Sequence, residues 1–264
     1  MMITKTTKSV RCPKLRGNIK SIVYPAWAEI KYDGEFDWLI RGEDNTFGGV
    51  YLVNKYGTTR YDSPVISKFD NGNSFKLLGE LFFGGGLKGD LYNLLSHKTD
   101  EVRLTFRPFD LVEYDGQNYT GCPFIERKEK LVTVFGTNSI CNGKVVENEG
   151  EVQSYFELIK SLNYEGIVVK NLNGRLTLDG ACDWVKIKDK DRNDYIVTHI
   201  DPYKERVEYQ VVTPNITKIN AVKVSDKIKS TMHIGDVITI EHQGILPAGG
   251  LRHPVYISHQ GGGN

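Results

Sequence analysis

The chain has 264 residues, enough for one large domain or two small ones with real cores, and its 39% hydrophobic and 25% charged residues exclude disorder over most of its length. With 34 Lys and Arg against 33 Asp and Glu the formal charge is +1, which excludes a histone-like polycation but not local phosphate-binding patches. No apolar run approaches the ~20 residues of a membrane span. The basic N-terminus MMITKTTKSVRCPKLRG lacks the apolar segment of a signal peptide, and Cys12, Cys122, Cys141 and Cys182 show neither zinc-site spacing nor the density of a disulfide framework, so a cytoplasmic protein with reduced thiols is expected.

Ala28, Ile30 and Tyr32 alternate with Glu29, Lys31 and Asp33, which predicts a strand over 28–33 with its charges on one face. Gly34 permits a turn, and Phe36, Trp38 and Ile40 open a second alternating segment. Strand-like runs follow at 49–53, 75–83, 102–112 and 167–170, and Ser63-Pro64 reads as the N-cap and first residue of a short helix. Leu91, Leu94 and Leu95 fit one helical face. Val152, Tyr155, Phe156 and Ile159, at i, i+3, i+4 and i+7, predict an amphipathic helix over 150–161. Trp184, Lys186 and Lys188 alternate with Val185 and Ile187 in another strand. The charged run 186–194 is the best linker candidate and sets a boundary near residue 190. Beyond it, strands at 195–200, 206–213, 218–224, 236–241 and 255–258, with no clear helix among them, predict a small barrel, and Gly261-Gly262-Gly263-Asn264 a flexible tail.

Chemistry is carried by five short segments in fixed order. Lys31-Tyr32-Asp33-Gly34 comes first; alone it would be a surface lysine beside a turn. Gly79-Glu80, Phe109-Asp110, Glu165-Gly166-Ile167-Val168-Val169-Lys170 and Trp184-Val185-Lys186-Ile187-Lys188 follow. The series resembles motifs I, III, IIIa, IV and V of the covalent nucleotidyltransferases, and among them the ATP-dependent DNA ligases. Gly250-Leu251-Arg252-His253-Pro254 resembles the arginine-bearing last motif of the ligase barrel. The resemblance covers about residues 20 to 258.

It implies an α+β fold: a nucleotidyltransferase (adenylation) domain of antiparallel sheets with helices over 1–190, then a small all-β OB-fold barrel over 191–264. It implies ATP as the nucleotide and Lys31 as the nucleophile. A lysine amine is a strong nucleophile only when deprotonated, and neighbouring cations favour that form. Lys170, Lys186 and Lys188 are the candidates for this and for neutralising the triphosphate. Glu80 and Glu165 are the candidate ligands for magnesium (or manganese), or contacts to the ribose hydroxyls. Phe109 would stack on the adenine, Glu29 and the adjoining Ile30 would meet the base edge, and Lys55, or alternatively Arg60, would contact phosphate or ribose. Arg252 would orient the pyrophosphate.

One position departs from the resemblance. The ligases usually read K-x-D-G-x-R, and the last residue here is Phe36, which cannot donate hydrogen bonds. Arg41 or Arg60 are candidates to compensate. The implied partner is nicked double-stranded DNA, bound by a monomer without a membrane anchor. The basic residues Lys5, Lys8, Arg11, Lys14, Arg16 and Lys20, together with the barrel, are candidate phosphate contacts. The rival readings are an RNA ligase of the same superfamily, which Phe36 favours, an mRNA-capping guanylyltransferase, and a non-catalytic nucleic-acid-binding module. If a phage encodes the chain, the compartment is the host cytoplasm.

Overall fold

The computed structural model describes residues 2–5, 13–16, 19–42, 49–83, 104–178, 180–246 and 248–260. The helix expected around Leu91, Leu94 and Leu95 and the glycine-rich tail lie outside the described residues, as do Lys8 and Arg11. The chain forms two compact units, Met1–Ile187 and Lys188–Asn264.

The first unit contains β1 (Met2–Lys5), β2 (Lys14–Arg16), β3 (Ala26–Lys31), β4 (Gly34–Arg41), β5 (Val50–Asn54), β6 (Thr58–Tyr61), α1 (Pro64–Ser67), β7 (Phe75–Phe83), β8 (Leu104–Tyr114), β9 (Gln117–Asn118), α2 (Phe124–Phe135), β10 (Gly143–Val146), α3 (Glu149–Ser161), β11 (Gly166–Asn171) and β12 (Ala181–Lys188). Its larger sheet has the order β1-β6-β5-β4-β7-β8-β9 and the smaller one β10-β3-β11-β12-β2. β3 pairs antiparallel with both β10 and β11, whereas β12 pairs with β2 in parallel, a departure from a purely antiparallel arrangement.

Each sheet has its own helix-covered core. Leu39, Leu52, Phe75, Leu77 and Phe106 pack under α1 and α2, and Ala26, Ala28, Ile167 and Val169 under α3. A third cluster joins the sheets, with Trp38, Leu78 and Val112 from the larger and Val168, Cys182 and Trp184 from the smaller. Burying such a side chain contributes about 1.5–3 kcal/mol each, so both faces of β3 and β11 are covered. The strand expected over 28–33 runs instead over Ala26–Lys31, and the charged face of β3 is not a solvent face: Glu29 is buried.

The helix starts follow local chemistry. Ser63 Oγ accepts from Val65 N at the head of α1, and Asn148 Oδ1 accepts from Glu151 N at 3.0 Å at the head of α3. Val152, Tyr155, Phe156 and Ile159 are the buried stripe of α3, as the spacing predicts. Helix α2 was not expected. Its buried stripe is Phe124, Arg127, Lys128 and Leu131, so two of the four inward positions are cations and the periodicity is hidden from a hydropathy reading.

The second unit contains β13 (Asp191–Ile200), β14 (Arg206–Val212), β15 (Thr217–Lys223), α4 (Asp226–Lys229), β16 (Val237–His242) and β17 (Val255–Gln260). Its antiparallel sheet has the order β15-β14-β13-β16-β17, and Val197, Val207, Tyr209, Val222, Ile238 and Ile240 fill its core. Two expectations are corrected here. A short helix, α4, interrupts the strands. The charged run 186–194 is strand except for Asp189 and Lys190, because residues 191–194 pair with β16 and the ladder satisfies backbone groups whatever the side chains are.

Candidate active site

Between the two sheets of the first unit lies a cavity of about 220 Å³, lined by Pro13, Glu29, Ile30, Lys31, Tyr32, Glu35, Phe36, Lys55, Glu80, Phe109, Cys141, Val168, Lys170 and Trp184. Lys31 ends β3. The pairing of Lys31 with Gly166 on β11 brings Glu165 to it, and the Lys31 ammonium forms an ion pair with the Glu165 carboxylate. Gly34, three residues on, donates from its N–H to Glu80 Oε1 at 3.1 Å. The glycine serves a close approach and not a special turn. A Cβ on Gly34 would lie 2.2 Å from the Leu81 carbonyl oxygen, so only glycine lets β4 run this near β7. Gly79 is likewise a packing residue, since its Cβ would lie 2.2 Å from the Phe106 ring.

Glu29 occupies the buried end of the site. One carboxylate oxygen is paired with Lys170; the other accepts from Trp27 Nε1 at 3.1 Å and lies 3.5 Å from Lys128 Nζ. The Lys170 ammonium also donates to the Phe109 carbonyl at 3.1 Å and sits over three rings, 4.2 Å from the centroid of Trp184, 4.8 Å from Phe109 and 4.9 Å from Phe124. Ile30 has its backbone engaged on both sides: its N–H donates to Asn142 O at 3.0 Å, and its carbonyl accepts from Cys141 Sγ at 3.2 Å. Burial foremost, and then the Glu29 charge, push the Cys141 thiol far above its ordinary range, so the thiol stays a neutral donor.

Three aromatic rings form the apolar wall. Phe109 meets Trp184 edge-on at 5.8 Å and Phe36 at 6.2 Å. Phe36, at the position where an arginine is usual, is thus a wall residue of the cavity. The next residue of β8, Asp110, is held by the fully buried Arg127.

The remaining expected residues are distributed as follows. Lys55 lines the cavity from an exposed position, with its ammonium 4.9 Å from the Tyr56 ring. Arg60 is buried in ion pairs with Glu35 (2.5 Å) and Asp37 (3.2 Å), and Arg41 pairs with Asp70 at 2.7 Å. Neither arginine lines the cavity, so neither replaces the missing one there. Lys186 lies two residues beyond Trp184 on the same side of β12 and is exposed, and Lys188 ends that strand. Arg252 belongs to the second unit, where its N–H donates to Gly244 O at 3.0 Å and its carbonyl accepts from Gln243 N at 2.9 Å. Sequence reading missed Arg127, Lys128, Trp27 and Cys141. Arg127 and Lys128 are adjacent cations in a helix with an apolar moment, a pattern indistinguishable from a solvated face until the fold buries it.

Residues 89–188 match the family model of the ATP dependent DNA ligase domain. A DNA ligase from Acidianus ambivalens is 28% identical over 195 residues, 66% of this chain and 31% of that protein. Over these stretches the chain is similar to the ATP-dependent DNA ligases. A second ligase relative, the SPbeta prophage-derived DNA ligase-like protein LigB of Bacillus subtilis (strain 168), is 28% identical over 58% of the chain and 62% of its own length. The chain thus spans from about a third to under two thirds of these curated ligases. The likeness in fold is broader. A Lig E DNA ligase superposes with a TM-score of 0.73 over 95% of this chain and 99% of its own at 14% identity, and Chlorella virus DNA ligase-adenylate with 0.51 over 97% and 100% at 13%. The first unit of the chain has the nucleotidyltransferase fold and the second the OB-fold.

Proposed function

We propose that the chain is an ATP-dependent DNA ligase that seals 5′-phosphate/3′-hydroxyl nicks in duplex DNA through a lysyl-AMP intermediate, in replication, repair or recombination. The observation that carries this reading is Lys31, which lines an aromatic-walled cavity with a carboxylate, Glu165, against its ammonium.

In the first step the deprotonated Lys31 Nζ attacks the α-phosphorus of ATP. A P–N bond forms, the P–O bond to the β-phosphate breaks, and pyrophosphate leaves. The AMP is then passed to the 5′-phosphate of the nick, freeing Lys31. Finally the 3′-hydroxyl attacks that phosphate and AMP leaves. Phe109, Phe36 and Trp184 shape the slot for the adenine, Glu29 faces its edge, and Lys55 reaches phosphate or ribose. Lys186 and Lys188 neutralise phosphate charge, and Arg252 orients the leaving pyrophosphate.

Among the described residues no three His, Cys, Asp or Glu side chains converge as a metal cage. Glu80 and Glu165 fit a magnesium ion, which takes one or two carboxylates and completes its shell with phosphates and waters; manganese accepts the same oxygen donors. Such an ion supplies charge neutralisation on the phosphates. Residues 1–190 would serve as the adenylation domain and 191–264 as the OB-fold that contacts nicked DNA, in a monomeric cytoplasmic enzyme. Among the described residues no helix is long and apolar enough to cross a membrane.

The test is incubation of wild type and Lys31→Ala with α-labelled ATP or GTP and magnesium, followed by a chase with nicked DNA or a nicked RNA duplex. AMP labelling of wild type alone, discharged by sealing of nicked DNA, is expected. Sealing of RNA only would move the chain to the RNA ligases and make Phe36 the residue that signals it. Labelling by GTP alone would make it a guanylyltransferase. No labelling by either nucleotide would leave a binding module.

A further inference from the structure

Two lysines hold Glu29, and only Lys170 belongs to a sequence motif. The other, Lys128, sits on α2, where Phe124 and Leu131 occupy the neighbouring inward positions and an apolar residue would complete the stripe. Lys128 is 4% exposed, Glu29 2% and Lys170 1%. A buried ammonium costs desolvation that a leucine or methionine would avoid, so a lysine here calls for a reason beyond packing.

Its contacts supply one. Lys128 Nζ lies 3.5 Å from Glu29 Oε2, donates to the Cys141 carbonyl at 2.8 Å and sits 5.2 Å from the Trp27 ring centroid. Lys170 takes the other Glu29 oxygen. With both oxygens fixed, Glu29 offers the cavity an acceptor in one orientation. The 6-amino group of adenine is a donor, whereas guanine carries an acceptor oxygen at the same position. The grip on Cys141 extends the effect, because the Cys141 thiol and the Asn142 carbonyl hold the backbone of Ile30, next to Lys31.

We propose that Lys128 is a positioning residue that sets the nucleobase selectivity of the site by orienting Glu29. The inference rests on the adenylation reading above. Its test compares wild type, Lys128→Met, Lys128→Gln, Lys128→Arg, Glu29→Gln and the Glu29→Gln/Lys128→Met double variant. For each, KM and kcat of self-labelling are measured with α-labelled ATP and with GTP.

Lys128→Met and Lys128→Gln are expected to raise the KM for ATP about tenfold, with a smaller change in kcat, and to lower the ATP-over-GTP preference about tenfold, the scale of one lost base-edge contact. Lys128→Arg should restore the preference. Lys128→Met should cost nothing further once Glu29 is glutamine. An unchanged preference in folded variants of a wild-type enzyme that labels normally overturns the role and leaves the function standing. Unfolding of both the methionine and the glutamine variants makes Lys128 a structural residue and overturns it too. A wild type labelled by neither nucleotide overturns the function and this role together.

Discussion

Asp110 and Arg127 meet through two parallel hydrogen bonds, Nε to Oδ1 at 2.7 Å and Nη2 to Oδ2 at 2.9 Å, with both side chains fully buried. The guanidinium also donates to the Cys122 and Gly174 carbonyls, at 2.6 and 3.0 Å. It thereby ties α2 to the residue beside Phe109 and to the loop after β11. Removing one partner leaves a buried charge uncompensated. Arg127→Met or Asp110→Leu is expected to cost about 3–5 kcal/mol in urea unfolding, and the double variant less than the sum.

Phe109 is the ring that would carry the base, with Trp184 edge-on behind it. Base–aromatic stacking is worth roughly 1–3 kcal/mol. Phe109→Ala should therefore raise the KM for ATP in self-labelling about 5- to 150-fold. Phe109→Tyr, which keeps the ring, should stay close to wild type. Equal KM values for Phe109→Ala and wild type would show that the base does not rest there.

Lys31→Arg keeps a cation beside Glu165 but cannot be deprotonated. It is expected to fold, to bind ATP and to form no covalent adduct, which intact-protein mass spectrometry reads directly. An adduct on this variant would place the nucleophile elsewhere.

Gly34→Ala puts a methyl group 2.2 Å from the Leu81 carbonyl oxygen, a backbone atom that cannot swing aside. The cost should be about 1–3 kcal/mol, and self-labelling should fall as well, since the Gly34 N–H to Glu80 bond moves with it. Thermal unfolding and labelling of the one variant check both effects.

The hydrogen bond from Lys190, with one from Arg192, holds the Glu241 carboxyl below its ordinary value of 4.5. A depressed carboxyl contributes stability that is fully present above 4.5 and lost as pH falls through the folded value. Urea unfolding followed by circular dichroism should show Glu241→Gln less stable than wild type at pH 6, with the gap closing as the pH is taken down to 3. A gap independent of pH would contradict the charged pairing.

The sequence alone determined most of the strands, because alternation survives wherever one face is apolar, and it ordered the chemistry-bearing segments through motifs whose spacing is local. Lys31, Glu80, Phe109 and Lys170, each from a different segment, all line one cavity. Two things were decided only by the tertiary structure. One is which charges are buried: no local window tells that Glu29, Lys170, Arg127 and Lys128 are interior, and they become so only when two sheets and α2 close over them. The other is what each cation touches. Arg60 looked free to reach a nucleotide, yet strand pairing across β4, β5 and β6 delivers it to Glu35 and Asp37. Polarity is a property of one residue and can be read from it; a partner is a property of two, brought together by contacts distant in sequence.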